Sequence, residues 1–196
     1  SEDFEFVRKV IHNALRFKKK KDAETGVNIV VGLKLLKSGD YPHAIDYLKN
    51  YRNLDAKVGT AVAYCYYSLS LREFRTDDES AKNQRPGEME LLARETLLNL
   101  AHTSTPINRL KQLELEDPSF LEKFFWQMIF LGLEWFPSER WFLEIGLENA
   151  ELAHDTEMRK RLLDISSERF YNDFHFLRVM YYYYLDNRDA SGAAGV

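Results

Sequence analysis

The chain has 196 residues, of which 45% are hydrophobic, 14% aromatic and 30% charged, a balance typical of a folded globular protein rather than a disordered one. Its formal net charge of −4 gives no overall attraction to nucleic acid or to an anionic membrane. The single cysteine, Cys65, excludes an intrachain disulfide and fits the reducing cytosol or nucleus.

The sequence predicts neither a membrane span nor a secretory leader. Its longest apolar stretch, residues 124–136, is shorter than the roughly 20 residues that a spanning helix needs. The acidic start SEDFEF is unlike a signal peptide and suggests a processed chain or an excerpt of a longer protein. We expect a cytoplasmic location, with the nucleus as the alternative.

In the N-terminal half, hydrophobic residues recur at helical spacing between short breaks that contain glycine or proline. The pattern predicts helices at residues 3–20, 23–37, 41–50, 56–74 and 88–101. Gly39 is expected to cap the second helix. Residues 75–87 carry no apolar anchor and are predicted to form an exposed polar loop.

In the C-terminal half, Asp117 and Pro118 predict the start of a helix that reaches about Phe136 and is apolar on nearly every side. A short helix at 106–115 precedes it, and helices at 138–154, 156–167 and 168–185 follow. The whole chain is therefore predicted to be all-α. We expect about eight to ten helices in one domain over residues 1–189, followed by a flexible tail at 190–196.

Residues 32–54, GLKLLKSGDYPHAIDYLKNYRNL, resemble the tetratricopeptide repeat, a unit of two helices and 34 residues. The positions that match its spacing are Gly32, Gly39, Asp40, Tyr41 and Ala44. Asn28 and Ala56 depart from it, because the family usually has a large aromatic residue at the first position and often proline at the second. Fainter copies of the pattern join residues 58–74 to 88–101 and begin at either Met128 or Phe142.

This resemblance implies a right-handed stack of antiparallel helical hairpins, an α-solenoid, with a groove lined by the first helix of each hairpin. Proteins of this family are scaffolds and adaptors that hold a peptide or helix of another protein. The resemblance therefore implies a non-enzymatic scaffold or adaptor. The alternative is a helical subunit that oligomerises, or docks permanently in a larger complex, through its aromatic C-terminal half.

The fourth predicted helix carries the first set of candidate partner-binding residues. Tyr64 and Tyr67 lie three residues apart and therefore near one another. Together with Lys57 and Arg72 they form a surface suited to holding a peptide.

Four consecutive tyrosines, residues 181–184, provide the second set. They point in four directions around a helix, so they cannot all face one core. Tyrosine is favoured where one side is dry and the other wet, and Tyr181, Tyr182 and Tyr184 are the candidates for partner contact or self-association.

A basic run is formed by Arg16, Lys18, Lys19, Lys20 and Lys21. Such a run serves as a nuclear import signal or an anion-binding patch, including one for RNA. The preferred interpretation is a solvated helix end, where cations interact favourably with the helix dipole.

The sequence contains no phosphate-binding loop, nucleotide-binding glycine fingerprint or zinc-protease motif. Glu151 and His154 have the spacing used in di-iron bundles, but that site needs the motif twice and it occurs once; we expect His154 to cap a helix end. Cys65 is expected to be a small buried hydrophobe and not a nucleophile. We therefore predict no catalytic residue, cofactor or metal.

Overall fold

The structure is a computed structural model that describes residues 21–73, 87–107 and 118–186. All regular secondary structure in these ranges is helical, which confirms the predicted all-α class. The first helix, α1, is helical from residue 21 to residue 38. The others are α2, Tyr41–Leu48; α3, Ala56–Glu73; α4, Glu88–Thr103; α5, Pro118–Trp135; α6, Trp141–Leu152; α7, Thr156–Arg169; and α8, Phe174–Asp186.

Several predicted elements lie outside the described residues. These are the helix at 3–20 with the basic residues Arg16, Lys18, Lys19 and Lys20, nearly all of the loop at 75–87, the helix cap at Asp117 and the tail at 190–196. The predicted helix at 106–115 is described only at its first two residues, which are not helical.

The chain divides into two compact units, residues 1–125 and 126–196, with the boundary inside α5. The single domain predicted over residues 1–189 stays a prediction.

In the first unit, α3 packs against both α2 and α4. Every residue of α3 from 58 to 63 is buried, so the N-terminal half of this helix lies at the centre of the unit.

Two glycines allow close helix contacts. A Cβ on Gly32 would lie 2.5 Å from Leu48 Cγ, and one on Gly59 would overlap the Leu100 side chain and lie 2.7 Å from the Arg52 carbonyl oxygen.

In the second unit, α7 packs against both α6 and α8. Eight of the twelve residues of α6 are buried, and the part of α5 in this unit adds Met128, Ile129 and Leu133 to the core. Gly132 of α5 lies under Phe142 of α6, whose ring a Cβ would overlap. The exposed residues described in α5 are all polar: Ser119, Lys123, Gln127 and Glu134.

Local hydrogen bonds define the end of α1 and the start of α7. Gly39 adopts φ +81°, and its N–H donates to the Leu36 carbonyl at 3.0 Å, so it ends α1 as predicted. The Asp155 carboxylate accepts from the Met158 N–H at 2.9 Å and caps α7.

The predicted boundary between the last two helices is wrong. The last helix was expected over residues 168–185, yet α7 continues to Arg169 and α8 begins at Phe174. The Asp173 carboxylate accepts from the His175 N–H at 2.9 Å and sets the start of α8 at Phe174, six residues later than the expected residue 168.

Candidate functional site

The exposure of α3 rises towards its C-terminal end. After the buried stretch at 58–63, Tyr64 and Tyr67 are half-buried, and Leu71 and Arg72 are exposed, Leu71 at 48%. Residues 64, 67 and 71 lie on one face of a helix. This helix therefore presents an apolar face that the rest of the unit covers only in part.

Tyr41, at the start of α2, joins the predicted residues to one another. Its ring meets that of Tyr64 edge-on, with centroids 6.2 Å apart. The Arg72 guanidinium lies 4.7 Å from the Tyr41 centroid and donates to the Gly39 carbonyl oxygen at 3.2 Å. We call the set of Tyr41, Tyr64, Tyr67, Leu71 and Arg72 the α3 surface.

Tyr64 is anchored on its other side by α5. Its ring centroid lies 5.8 Å from that of Phe124, which in turn lies 5.9 Å from that of Phe120. Burial raises the pKa of the Tyr64 phenol, while a hydrogen bond with Ser68 acts in the opposite direction. At neutral pH this tyrosine is therefore a neutral, positioned side chain.

Lys57 lies apart from the other predicted residues of α3. Its ammonium group is 2.8 Å from Glu122 Oε1 and 5.7 Å from the Phe125 ring centroid, and its side chain is 19% exposed. Both contacts are to α5, and the ion pair neutralises the charge. Among the predicted cations of α3, it is Arg72 whose charge remains at the surface.

The four tyrosines of α8 point in different directions, as the sequence predicted. Tyr183 is buried, with the Arg159 guanidinium 5.4 Å from its ring centroid. Tyr181 and Tyr182 are 43% and 55% exposed, and Tyr184 is half-buried.

The outward face of α8 is more apolar than the tyrosines alone indicate. Phe174 is 77% exposed and Leu185 is 46% exposed. With Arg178 and Tyr181 they form a line opposite the buried Phe176, Met180 and Tyr183. We call Phe174, Arg178, Tyr181 and Leu185 the α8 stripe.

Four residues were not identified from the sequence. These are Tyr41 and Leu71 on the α3 surface, and Phe174 and Leu185 on the α8 stripe. Helical spacing was available as a signal for two of them, since Leu71 follows Tyr67 by four residues and Leu185 follows Tyr181 by four. The role of Tyr41 depends on which helices pack together, and spacing within one helix carries no such information.

The residues weighed for chemistry are dispersed. Cys65 is completely buried, and burial raises the pKa of its thiol to about 12. His154 is exposed and adopts φ +55°, beyond the end of α6, so it does not share a helical face with Glu151. In the described ranges no group of three or more His, Cys, Asp or Glu side chains is placed to hold a metal ion.

Of the predicted basic run, Lys21 is described, and it is exposed. Within residues 21–73, 87–107 and 118–186, none of the helices has the length and apolar character needed to cross a membrane. Comparison with known proteins gives no match to a family model, to a curated protein or to a solved structure.

Proposed function

We propose that the protein is a non-enzymatic interaction module that holds a peptide or helix of another protein on the α3 surface. The observation that carries the proposal is the partial cover of α3: the helix is buried over residues 58–63, whereas Tyr64, Tyr67 and Leu71 remain accessible at its C-terminal end. Partly buried tyrosines beside an exposed leucine and arginine are typical of protein-binding surfaces.

The arginine on this surface is held in place before any partner binds. Arg72 lies over the Tyr41 ring and donates to the Gly39 carbonyl, so a partner need not spend as much free energy on ordering its long side chain. Its charge favours a segment that places an acidic side chain opposite Arg72 and apolar side chains on Tyr67 and Leu71.

The repeat architecture is part of the same proposal. Three glycines each lie beneath a large side chain of another helix: Gly32 beneath Leu48, Gly59 beneath Leu100 and Gly132 beneath Phe142. A close contact recurring in successive helix pairs supports tetratricopeptide-like hairpins within each unit. In that arrangement α3 is the first helix of its hairpin, the helix that lines the binding groove. An intracellular adaptor, cytoplasmic or nuclear, fits the single buried cysteine.

The test is affinity capture with two matched variants. Leu71→Asp places a charge on the α3 surface, and Leu91→Asp makes the same change on α4, where the leucine is 53% exposed. We expect Leu71→Asp to weaken capture of a specific partner by about tenfold or more, because an apolar contact on the surface is replaced by a charge. Leu91→Asp should leave it unchanged.

Both variants should retain the wild-type circular dichroism and show similar, small decreases in melting temperature, since both leucines are about half exposed. Equal capture by the wild type and both variants would refute the assignment of the α3 surface. Equal loss in both would point to a general effect of surface charge.

A second candidate function is favoured by the α8 stripe. Exposed aromatic and aliphatic side chains in a line on one helix are expected of a subunit that associates through that helix. In this role the protein would oligomerise, or dock permanently in a larger complex, through its C-terminal unit.

A further inference from the structure

The α8 stripe has a spacing that reads the same in both chain directions. Phe174, Arg178, Tyr181 and Leu185 are separated by four, three and four residues, which is the spacing of the inner positions of a coiled coil. The stripe is about 16 Å long at the rise of an α-helix. It lies opposite the face by which α8 is buried in its own unit, so the two faces can be occupied together.

The charge along the stripe is of one sign, and the helix itself ends at the acidic Asp186 just beyond it. From Phe174 to Leu185 the sequence contains no acidic residue, and Arg178 is its one permanently charged side chain. Whatever covers the stripe must place either a carboxylate or an aromatic face against Arg178, because a buried cation without such a partner is costly. The stripe itself contains an aromatic ring at the symmetric position, Tyr181.

We infer that the α8 stripe binds the α8 stripe of a second copy of this chain, antiparallel and about a two-fold axis. This inference rests on the second candidate function proposed above and names the occupant. Antiparallel pairing puts Phe174 against Leu185 of the second copy and Arg178 against Tyr181 of the second copy, each contact occurring twice. A parallel pair would bring Arg178 against Arg178 of the second copy, and like charges repel.

Arginine packed on an aromatic ring is already common within this chain. The Arg72 guanidinium lies 4.7 Å from the Tyr41 centroid, and that of Arg161 lies 4.2 Å from the Phe130 centroid. The inferred contact between copies repeats this arrangement. The remaining exposed tyrosine, Tyr182, follows Tyr181 directly and borders the paired stripes.

The size of the contact sets its strength. Two helices that meet over three turns bury less area than a standard stable interface. We therefore expect a weak, reversible dimer with a dissociation constant of roughly 10–100 µM.

Sedimentation equilibrium of the full chain from roughly 1 to 300 µM, a range that brackets this constant, measures it directly. The wild-type mass should rise from monomer towards dimer. Arg178→Glu should weaken the dimer at least about tenfold, because both arginine–tyrosine contacts are lost. Lys160→Glu, the same charge reversal at an exposed position on α7, should leave the dissociation constant unchanged.

A charge-swap variant tests the antiparallel register. In Arg178→Glu with Tyr181→Arg, each new glutamate meets a new arginine of the second copy, so the dimer should recover to about wild-type strength. A parallel dimer would not recover, because like charges would face each other at both positions. A wild-type chain that stays monomeric up to the highest concentration, or a swap variant as weak as Arg178→Glu alone, would overturn the inference.

The result of the dimerisation experiment can be distinguished from the results that test the proposed functions. Leu71→Asp should not alter the dissociation constant of the dimer, since Leu71 is on the α3 surface. If the wild type is monomeric but Arg178→Glu loses a captured protein, the second candidate function stands as docking to a foreign partner, and self-association is refuted.

Discussion

At Cys65 the packing of α3 determines the chemistry of the thiol. The side chain is completely buried, and because the thiolate would be desolvated there, the pKa rises from 9.0 to about 12. The group is therefore protonated throughout the physiological range and is a poor nucleophile. It contributes to the core as a small apolar side chain.

This pKa makes stability depend on alkaline pH. The folded-state pKa lies above the unfolded one, so the contribution of Cys65 is complete below about pH 9 and is lost as the pH rises towards 12. We expect the unfolding free energy of the wild type to fall by on the order of 1 kcal/mol at pH 10 through this group.

Urea unfolding of the wild type and Cys65→Ala at pH 7.5 and pH 10 measures that loss. Ionisable groups other than Cys65 and its neighbour Tyr64 are the same in both proteins, so the difference between the two pH dependences reports the thiol together with its coupling to Tyr64. Cys65→Ala should be less stable at neutral pH but should lose less stability on going to pH 10. The same change in both proteins would contradict the burial of an ionisable thiol.

The sequence identified some residues of the candidate site and missed others for a physical reason. Tyr64, Tyr67 and Arg72 could be selected because they lie on one amphipathic helix, where spacing determines which side chains are neighbours. Tyr41 could not, since its contact with Tyr64 joins residues 23 positions apart on different helices. The pairing of Lys57 with Glu122, 65 positions away, depends on packing in the same way.

At the scale of helices, boundaries set by local signals were predicted well. The Gly39 cap and the proline in the first turn of α2 are local, and the structure has both where the sequence predicted them. The start of α8 was misplaced because Arg169 and Phe170 give no clear break in the helical pattern, and the side-chain cap at Asp173 decides the boundary.

The contact between α5 and α6 depends on the absence of a side chain at Gly132. Phe142 is completely buried, stacked on Phe136 with centroids 6.1 Å apart and edge-on to Trp141 at 5.3 Å. Its ring therefore has little room to move. Gly132→Ala should destabilise the protein by about 1–3 kcal/mol through overpacking, measured by urea unfolding.

Two further variants separate overpacking from a change in helix propensity. In a Phe142→Ala background the Gly132→Ala change should be neutral or stabilise by up to about 1 kcal/mol, because alanine is the better helix former. Gly146→Ala is the matched control: a Cβ there would lie 3.0 Å from the terminal Cδ1 of Leu162, which can move, so the loss should be smaller. Equal losses at Gly132 and Gly146 would contradict this account of the α5–α6 contact.

At the scale of the whole molecule, each compact unit presents one surface of its own. The α3 surface belongs to residues 1–125 and the α8 stripe to residues 126–196. Composition and periodicity were enough to predict the helical class, because the spacing of the apolar residues indicates that each helix buries one face. The exposure of Leu71 and Phe174 follows from which helices cover which faces, and the sequence does not encode that locally.

The central claim is that the C-terminal end of α3 contacts another protein, and site-specific photo-cross-linking in cells tests it most directly. A photoreactive amino acid placed at Leu71, and in a second variant at Leu91 on α4, reports which proteins touch each position. Both leucines are about half exposed, at 48% and 53%, so chance encounters should label them alike. We expect a discrete cross-linked partner at position 71 that is absent at position 91; no adduct at 71, or the same adducts at both positions, would contradict the claim.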